Sequence, residues 1–432
     1  MSIGTSWGRL PHHQQRIIAL RNRFEALPAS APLLPYGNGR SYGDVCLNEG
    51  GTLVTTRALN HLIAFDPTTG VLECESGILL SEIIDLLLPK GWFPPVVPGT
   101  AYVTVGGAIA NDVHGKNHHR VGTFAHHVLS FELLRSDGRT IDCSRESNPE
   151  WFRATIGGLG LTGLIRRARL QLRPVRGPWI DCSTHRFLGV EQFLQLTESS
   201  DRDFEYTVAW IDSTSRGSKR GRGIFVCGNH ASAADAPSGA RRTFRIPLTP
   251  PVCTLTNTSV RWLNALYFRR ARTDGPRQRQ HYQDFHFPLD RIQEWNRLYG
   301  PRGFFQYQCA LPSHNAAALN EMLERMTSAR HGSFVSVLKK FGNLESLGML
   351  SFARPGVTLA LDLPNQGAAT LRLLEALDAI TQQAGGVVYP AKDARMSARS
   401  FQTYFPAWVD FRRYIDPHFS SSFWRRVTAQ TS

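Results

Sequence analysis

Three glycine-rich segments in the first 165 residues constrain this chain more than any other feature. The first reads Tyr36-Gly37-Asn38-Gly39-Arg40-Ser41-Tyr42-Gly43-Asp44. Glycines this close let successive backbone N–H groups turn toward one anion, so a diphosphate fits here; a tight surface turn satisfies the same residues. The second runs Pro98-Gly99-Thr100, Thr104-Val105-Gly106-Gly107-Ala108-Ile109-Ala110 and His114-Gly115-Lys116-Asn117-His118-His119. Its histidines suggest a metal, but no carboxylate or thiolate completes a ligand set, and adjacent His118 and His119 would point opposite ways on a strand. No metal is expected. The third, Gly158-Leu159-Gly160-Leu161-Thr162-Gly163, matches the Gly-x-Gly-x-x-Gly dinucleotide fingerprint, with Asp181 downstream where a ribose-binding acid belongs. That fingerprint needs a strand before it and a helix after it, whereas 150–156 reads as helix and 164–173 as strand. A nicotinamide-binding domain of that kind is therefore rejected.

Elsewhere the patterning is that of a mixed chain. Short β runs are expected at 52–56, 61–65 and 71–75, then a helix capped by Ser81 and carrying Ile83, Ile84, Leu86, Leu87 and Leu88. Further strands are expected at 206–211, 304–311, 334–341 and 357–362, and an amphipathic helix at 371–383. Residues 214–223 and 231–251 lack apolar periodicity, so mobile loops are expected within 214–281. A chain of 432 residues has room for two or three domains. Its 49 Lys and Arg against 35 Asp and Glu give a net charge of +14, which suits an anionic ligand, nucleic acid or an acidic membrane. The basic residues are not interleaved with aromatics in a readable module, so no nucleic-acid partner is expected. Neither a spanning apolar run nor a secretory signal is visible, and the expectation is a cytoplasmic protein. Seven cysteines with no Cys-x-x-Cys pair argue against a disulfide framework or a zinc ribbon.

Together the glycine segments resemble the FAD-binding domain of the vanillyl-alcohol-oxidase flavoprotein superfamily, most closely the oxidase subunits of decaprenylphosphoryl-β-D-ribose 2′-epimerase. The likeness continues through Phe304-Phe305-Gln306-Tyr307-Gln308, Val337-Leu338-Lys339-Lys340-Phe341-Gly342, Tyr389-Pro390-Ala391-Lys392-Asp393 and Ile415-Asp416-Pro417, and is weakest over 214–281. It implies an α+β fold: a two-subdomain FAD-binding domain over 1–175, completed by 388–432, and an antiparallel-sheet substrate cap over 176–387. The implied FAD contacts on the diphosphate side are Gly37, Asn38, Gly39, Arg40, Ser41, Tyr42, Gly43, Asp44, Gly99 and Thr100. Those implied for the rest are Thr104, Val105, Gly106, Gly107, His114, Gly115, Lys116, Asn117, His118, His119, Val121, Ile165 and Tyr389. Many members carry a covalent flavin on a His where this chain has Arg40, so the resemblance implies FAD held without that bond.

The implied reaction is oxidation of the 2′-hydroxyl of a polyprenylphosphoryl-β-D-ribose, with a separate NAD(P)H-dependent short-chain reductase as partner. A soluble sugar-alcohol or aldonolactone oxidase is the alternative. The basic surplus fits an anionic lipid-linked substrate met by peripheral association with the inner face of a plasma membrane. Candidate catalytic residues are Lys392 as the cation beside the flavin, His114, and His286 as proton acceptor or else a packed neutral ring. Candidate substrate contacts are Lys116, Trp210, Gln306, Gln308, Lys339, Phe341, Thr358 and Ala360. Gln306 and Gln308 share one strand face, and Lys339 shares another with Val335, Val337 and Phe341, a costly place for an ammonium without a partner; Lys340 is expected in solvent. His286 stands where the family has Tyr, and Thr358 and Ala360 where mycobacterial members have Asn and Cys. Over 255–272, Trp262, Leu263, Leu266, Tyr267 and Phe268 beside Arg269 and Arg270 suit either a lipid-facing surface or a helix packed on the cap.

Overall fold

A computed structural model describes residues 3–232, 243–271, 278–315 and 317–429. Near the N-terminus β1 (Arg16–Ala19), β2 (Leu33–Tyr36) and β3 (Thr52–Thr55) form a parallel sheet in the order 1-3-2. Next come β4 (Leu62–Phe65), β5 (Val71–Glu75), β6 (Val128–Leu134), β7 (Thr140–Ser144) and β8 (Leu164–Gln171), an antiparallel sheet in the order 4-5-8-6-7. Helix α1 (Leu80–Leu87) buries Leu80, Ile83, Ile84 and Leu87 in the core beside this sheet. Ser81 lies inside its first turn, and the capping role falls to Glu82, whose carboxylate accepts the Leu79 N–H at 2.7 Å. Helices α2 (Val105–Ala110), α3 (His118–Val121) and α4 (Pro149–Thr155) complete this part. The third glycine segment joins α4 to β8, the helix-then-strand order that its residues led one to expect.

A larger antiparallel sheet takes all its strands from 179–388: β9 (Trp179–Phe187), β10 (Tyr206–Ile211), β11 (Gly223–His230), β12 (Gln278–His281), β13 (Phe304–Leu311), β14 (Ser336–Phe341), β15 (Gly356–Pro364) and β16 (Val387–Val388). Their order is 12-9-11-10-14-15-13-16. Period-two alternation divides them cleanly. Tyr307, Cys309, Leu338, Leu359, Leu361 and Phe225 point into a core shared with α5 (Val190–Ser200), α7 (Ala317–Ser328) and α8 (Ala368–Gln383). Gln306, Gln308, Val337, Lys339, Thr358 and Ala360 line a chamber on the opposite face.

Part of 214–281 is more ordered than its composition implied. Strand β11 falls inside that span; Ile224, Phe225 and Cys227 are all buried, so both of its faces are covered and no alternation shows in the sequence. Helix α6 (Asn257–Arg270) follows, opened by Thr256, whose hydroxyl accepts the Ser259 N–H. It is the helix that the residues of 255–272 offered as one alternative, and only Val260 and Asn264 of it are buried. The turn after β10 is pinned rather than loose: buried Asp212 accepts two bonds from Arg222 at 2.8 and 2.9 Å, one from the Thr214 hydroxyl, and one from Asn264 at 3.0 Å. The loop expectation at 233–242 and 272–277 lies outside the described residues.

The C-terminal segment returns to the N-terminal part. Buried Arg135 and Asp416 pair at 3.3 Å, and α9 (Ser422–Thr428) places Arg426 against Asp44 at 2.6 and 2.9 Å and Asp393 at 3.1 Å. Both carboxylates are almost wholly covered, so removing the guanidinium strands two buried charges. Arg426→Ala is expected to lower stability by about 3 kcal/mol, read as a fall in the urea midpoint. A loss below about 0.5 kcal/mol, the range of surface substitutions, would show that the bridge is incidental.

Candidate active site

The chamber, with a volume of about 820 Å³, lies between the glycine segments and the inner face of the large sheet. Gly37, Asn38, Gly39, Arg40, Ser41, Tyr42, Gly99, Thr100, Thr104, Gly106, Gly107, His114, Gly115, Lys116, Ile165 and Tyr389 all line it. Among the described residues no acceptor takes the backbone N–H groups of Asn38 to Ser41, while the Asn38 side chain donates to the Tyr102 carbonyl at 2.7 Å and fixes the loop. At Gly99 a Cβ would project into open space, so the backbone stands bare toward the chamber. Unspent amides beside an apolar-walled cavity are what a diphosphate with a flat ring system requires, and the residues fit FAD.

Several residues implied as contacts do not line the chamber. Asp44 is turned to Arg426, and Gly43 is required because a Cβ would meet the Asp393 carbonyl oxygen at 1.7 Å. Val105 is fully buried in the core. Asn117, His118, His119 and Val121 form the joint to the large sheet instead. Asn117 donates to the Pro95 carbonyl at 2.8 Å, His118 Nδ1 accepts the Gly342 N–H at 3.1 Å, and His119 Nε2 meets the Phe204 carbonyl at 3.2 Å. Val121 packs on the apolar core. Phe341 is buried under the rings of His114 and His118, at 4.8 and 4.5 Å, so it supports the wall without reaching a ligand.

The polar wall is ordered by strand register. Gln306 sits opposite Asp362, Gln308 opposite Ala360, and Thr358 opposite Lys339, in successive rows. The Gln308 amide donates to His114 Nε2 at 2.9 Å and to the Thr358 hydroxyl at 3.1 Å, leaving its oxygen to meet a ligand. Burial first, then Lys339, His118 and Lys392, hold His114 well below the ordinary histidine pKa, so its ring is neutral. Burial lowers Lys339 to about 8. Lys392, on the turn Pro390–Lys392, sets its ammonium 4.0 Å over the Tyr42 ring. Lys340 pairs with Asp201 and is not among the lining residues.

Two assignments change in character. Lys116 lines the chamber, but its ammonium donates to the Phe285 and His286 carbonyls at 2.5 and 3.0 Å, so it ties 282–286 to the second glycine segment. His286 lines the chamber and is packed among other rings. Phe93, Tyr206 and Phe287 surround it, neither nitrogen has a partner among the described residues, and burial, with Lys116 nearby, holds its pKa far down. A ring so placed is a poor proton acceptor. Sequence reasoning missed Asp290, which accepts the Ala101 N–H at 2.8 Å and is pushed up to about 6 by burial. It also missed Asp362, although that residue has the strand parity of Thr358 and Ala360. Trp7, 4.2 Å beneath the Arg40 guanidinium, gave no signal at all.

Comparison with known proteins adds the following. A family model described as an FAD binding domain matches residues 11–144. Decaprenylphosphoryl-β-D-ribose oxidase of Mycolicibacterium smegmatis is 33% identical over 410 residues, covering 90% of this chain and 88% of that protein. An uncharacterized protein of Streptomyces coelicolor is 33% identical over 81% of this chain and its own whole length. Cytokinin dehydrogenase 3 of Arabidopsis thaliana is 29% identical over 40% of this chain and 33% of its own.

An ammonium in this wall costs stability, and the sign with pH follows. Below about 8 both folded and unfolded chains carry the Lys339 proton, and the folded state bears the full burial cost. From there to roughly 10.4 the unfolded chain still holds a proton that the folded chain has released, so stability rises with pH. Lys339→Met is therefore expected to raise the urea midpoint at pH 7, with a gain that shrinks toward pH 10. Destabilisation at pH 7 would mean that the ammonium is compensated in the fold.

Proposed function

The chain belongs to the decaprenylphosphoryl-β-D-ribose oxidase family of FAD-linked oxidases, and from that premise we propose that it oxidises the 2′-hydroxyl of a polyprenylphosphoryl-β-D-ribose to the ketone. The observation that carries this reading is the juxtaposition of two amides, Gln306 and Gln308, with lysines from two further segments, Lys339 and Lys392, on one chamber wall. A small polyol ring bearing an anion matches that wall. We read the parallel and five-stranded sheets as the two subdomains clasping the cofactor, and the large sheet as its cap.

Bound FAD would supply the acceptor for the hydride leaving the carbinol carbon, while the hydroxyl proton passes through the chamber to solvent. The Gln308 oxygen accepts a ring hydroxyl, with its amide held by His114 and Thr358. Lys339 faces the phosphate. Lys392 presents positive charge where negative charge develops. Arg40 cannot form a histidyl flavin bond, so FAD is held without one through this motif. The ketone then requires a separate nicotinamide-dependent reductase to become the epimer. With FAD bound, polyprenylphosphoryl ribose is expected to bleach the flavin; Lys392→Ala is expected to abolish bleaching while retaining yellow flavin that acid releases, and Lys340→Ala to change it little. Bleaching by free alditols but not by the lipid-linked sugar would favour the sugar-alcohol oxidase instead.

For the lipid tail, the reading rests on α6. Leu263, Leu266, Tyr267 and Arg270 line the chamber mouth, while Trp262 is 67% and Tyr267 54% exposed beside exposed Arg261, Arg269 and Arg270. Apolar side chains among arginines complement an anionic bilayer surface, which supports the reading of peripheral membrane association. Among the described residues no helix is long and apolar enough to cross one. Deleting α6 would also remove chamber wall, so the exposed Trp262 is the better probe. Trp262→Glu is expected to raise KM for the polyprenyl substrate about tenfold, from the lost burial of one large side chain, and to leave a short-chain analogue unaffected. Equal effects on both substrates would make the helix purely structural.

A further inference from the structure

Strand order divides the chamber wall into an apolar half and a polar half. One row, Ile224, Trp210, Val337, Ala360 and Gln308, crosses β11, β10, β14, β15 and β13, each residue directly opposite the next. Every member of that row lines the chamber. Neighbouring pairs repeat the gradient: Val226 lies opposite Val208 on β11 and β10, and Lys339 opposite Thr358 on β14 and β15. Polar groups therefore begin at Lys339 and gather where Gln308 joins Thr358 and His114. The residues that β10 and β11 give to the chamber are aliphatic, apart from Trp210. Helix α6 borders this half: Leu263, Leu266 and Tyr267 line it, and the Tyr267 ring meets that of Trp210 nearly at right angles at 4.9 Å. Val208, Val226 and Val337 are only half-buried on this concave wall, so apolar surface is left for a ligand to cover.

We propose that the apolar half is a subsite for the isoprene units next to the phosphate, with Trp210 as its specificity-determining contact. The inference rests on the lipid-linked substrate proposed above and deepens it: the wall meets ring, phosphate and the start of the tail in strand order. An anion at Lys339 has amides on one side and hydrocarbon on the other, which is the order of groups in a prenylphosphoryl sugar. Strands in a sheet lie about 4.8 Å apart, so β10 and β11 carry the wall about 10 Å beyond the strand of Lys339, room for about two isoprene units. Later units leave this band and pass α6 at the chamber mouth. Tail held inside the chamber contributes binding energy that a bare sugar phosphate cannot offer, and it distinguishes a prenyl chain from a free sugar before any contact with a membrane.

Binding tests this without turnover. Inorganic phosphate, dimethylallyl phosphate, geranyl phosphate and farnesyl phosphate are titrated calorimetrically into the FAD-bound protein. Affinity is expected to rise about tenfold or more with each of the first two isoprene units, and far less with the third. In Trp210→Ala and in the gentler Val226→Thr, both checked for retained yellow flavin, those gains are expected to shrink while the affinity for inorganic phosphate holds. Equal affinities across the series, a third unit worth as much as the second, or gains unchanged in the flavin-bound variants would overturn the proposal. Should neither variant keep flavin, a diazirine-bearing geranyl phosphate photolysed with the wild-type protein decides. Crosslinks within 206–211 or 223–230 are expected, and crosslinks confined to 257–270 would overturn the subsite. A steep series on a protein whose flavin the lipid-linked ribose fails to bleach would uphold the subsite and reject the oxidase reading.

Discussion

Arg426 joins Asp44, at the end of the first glycine-rich segment, to Asp393, the neighbour of Lys392, and does so from the last helix of the chain. A stretch near the start of the chain is thereby held, at one guanidinium, to two stretches near its end, 382 residues away in the case of Asp44 and Arg426. The amides of Asn38 to Ser41 and the Lys392 side chain can face the same chamber only if those stretches keep their spacing. A bidentate guanidinium with a second carboxylate sets that spacing more rigidly than apolar packing alone, because its donors lie in a fixed plane. The close approach of Gly43 to the Asp393 carbonyl belongs to the same joint.

Against that scaffold the chamber wall is energetically unfavourable. Lys116, Lys339 and Lys392 are all pulled below the ordinary lysine pKa by burial, and His114 is held neutral among them. Only Lys116 is satisfied within the fold, by two carbonyls. A wall carrying Lys339 and Lys392 is suited to receiving an anion, since a ligand can return the charge compensation that burial removed. The apolar core on the other face of the same sheet supplies the stability that makes such a wall tolerable, and the period-two alternation of β13 to β15 keeps the two faces apart.

Much of this was legible in the linear chain. Strands at 71–75, 206–211 and 304–311 stand where alternation or β-rich composition put them, and Gln306 and Gln308 share the face that their spacing required. The false dinucleotide fingerprint was recognisable from its flanking helix and strand. Strand β11 was not legible, because it is covered on both sides and its pattern has no polar phase, whereas the helix at 257–270 was one of the two alternatives that its residues offered.

The sequence by itself determined the local relations: which residues share a strand face, where glycine frees the backbone, and which segments can present amides to a diphosphate. Those relations depend on covalent geometry and on periods of two or 3.6 residues, which operate over a few bonds. Only the tertiary structure decided which of those residues reach the chamber. His118 and His119 belong to a motif as rich in chemistry as His114, yet the sheet edge at Gly342 and the carbonyl of Phe204 take them as joints. Asp362 meets the Gln306 amide only through the pairing of β13 with β15. Contacts of that kind depend on which surfaces meet after folding, and on how burial changes the cost of a charge once they have met.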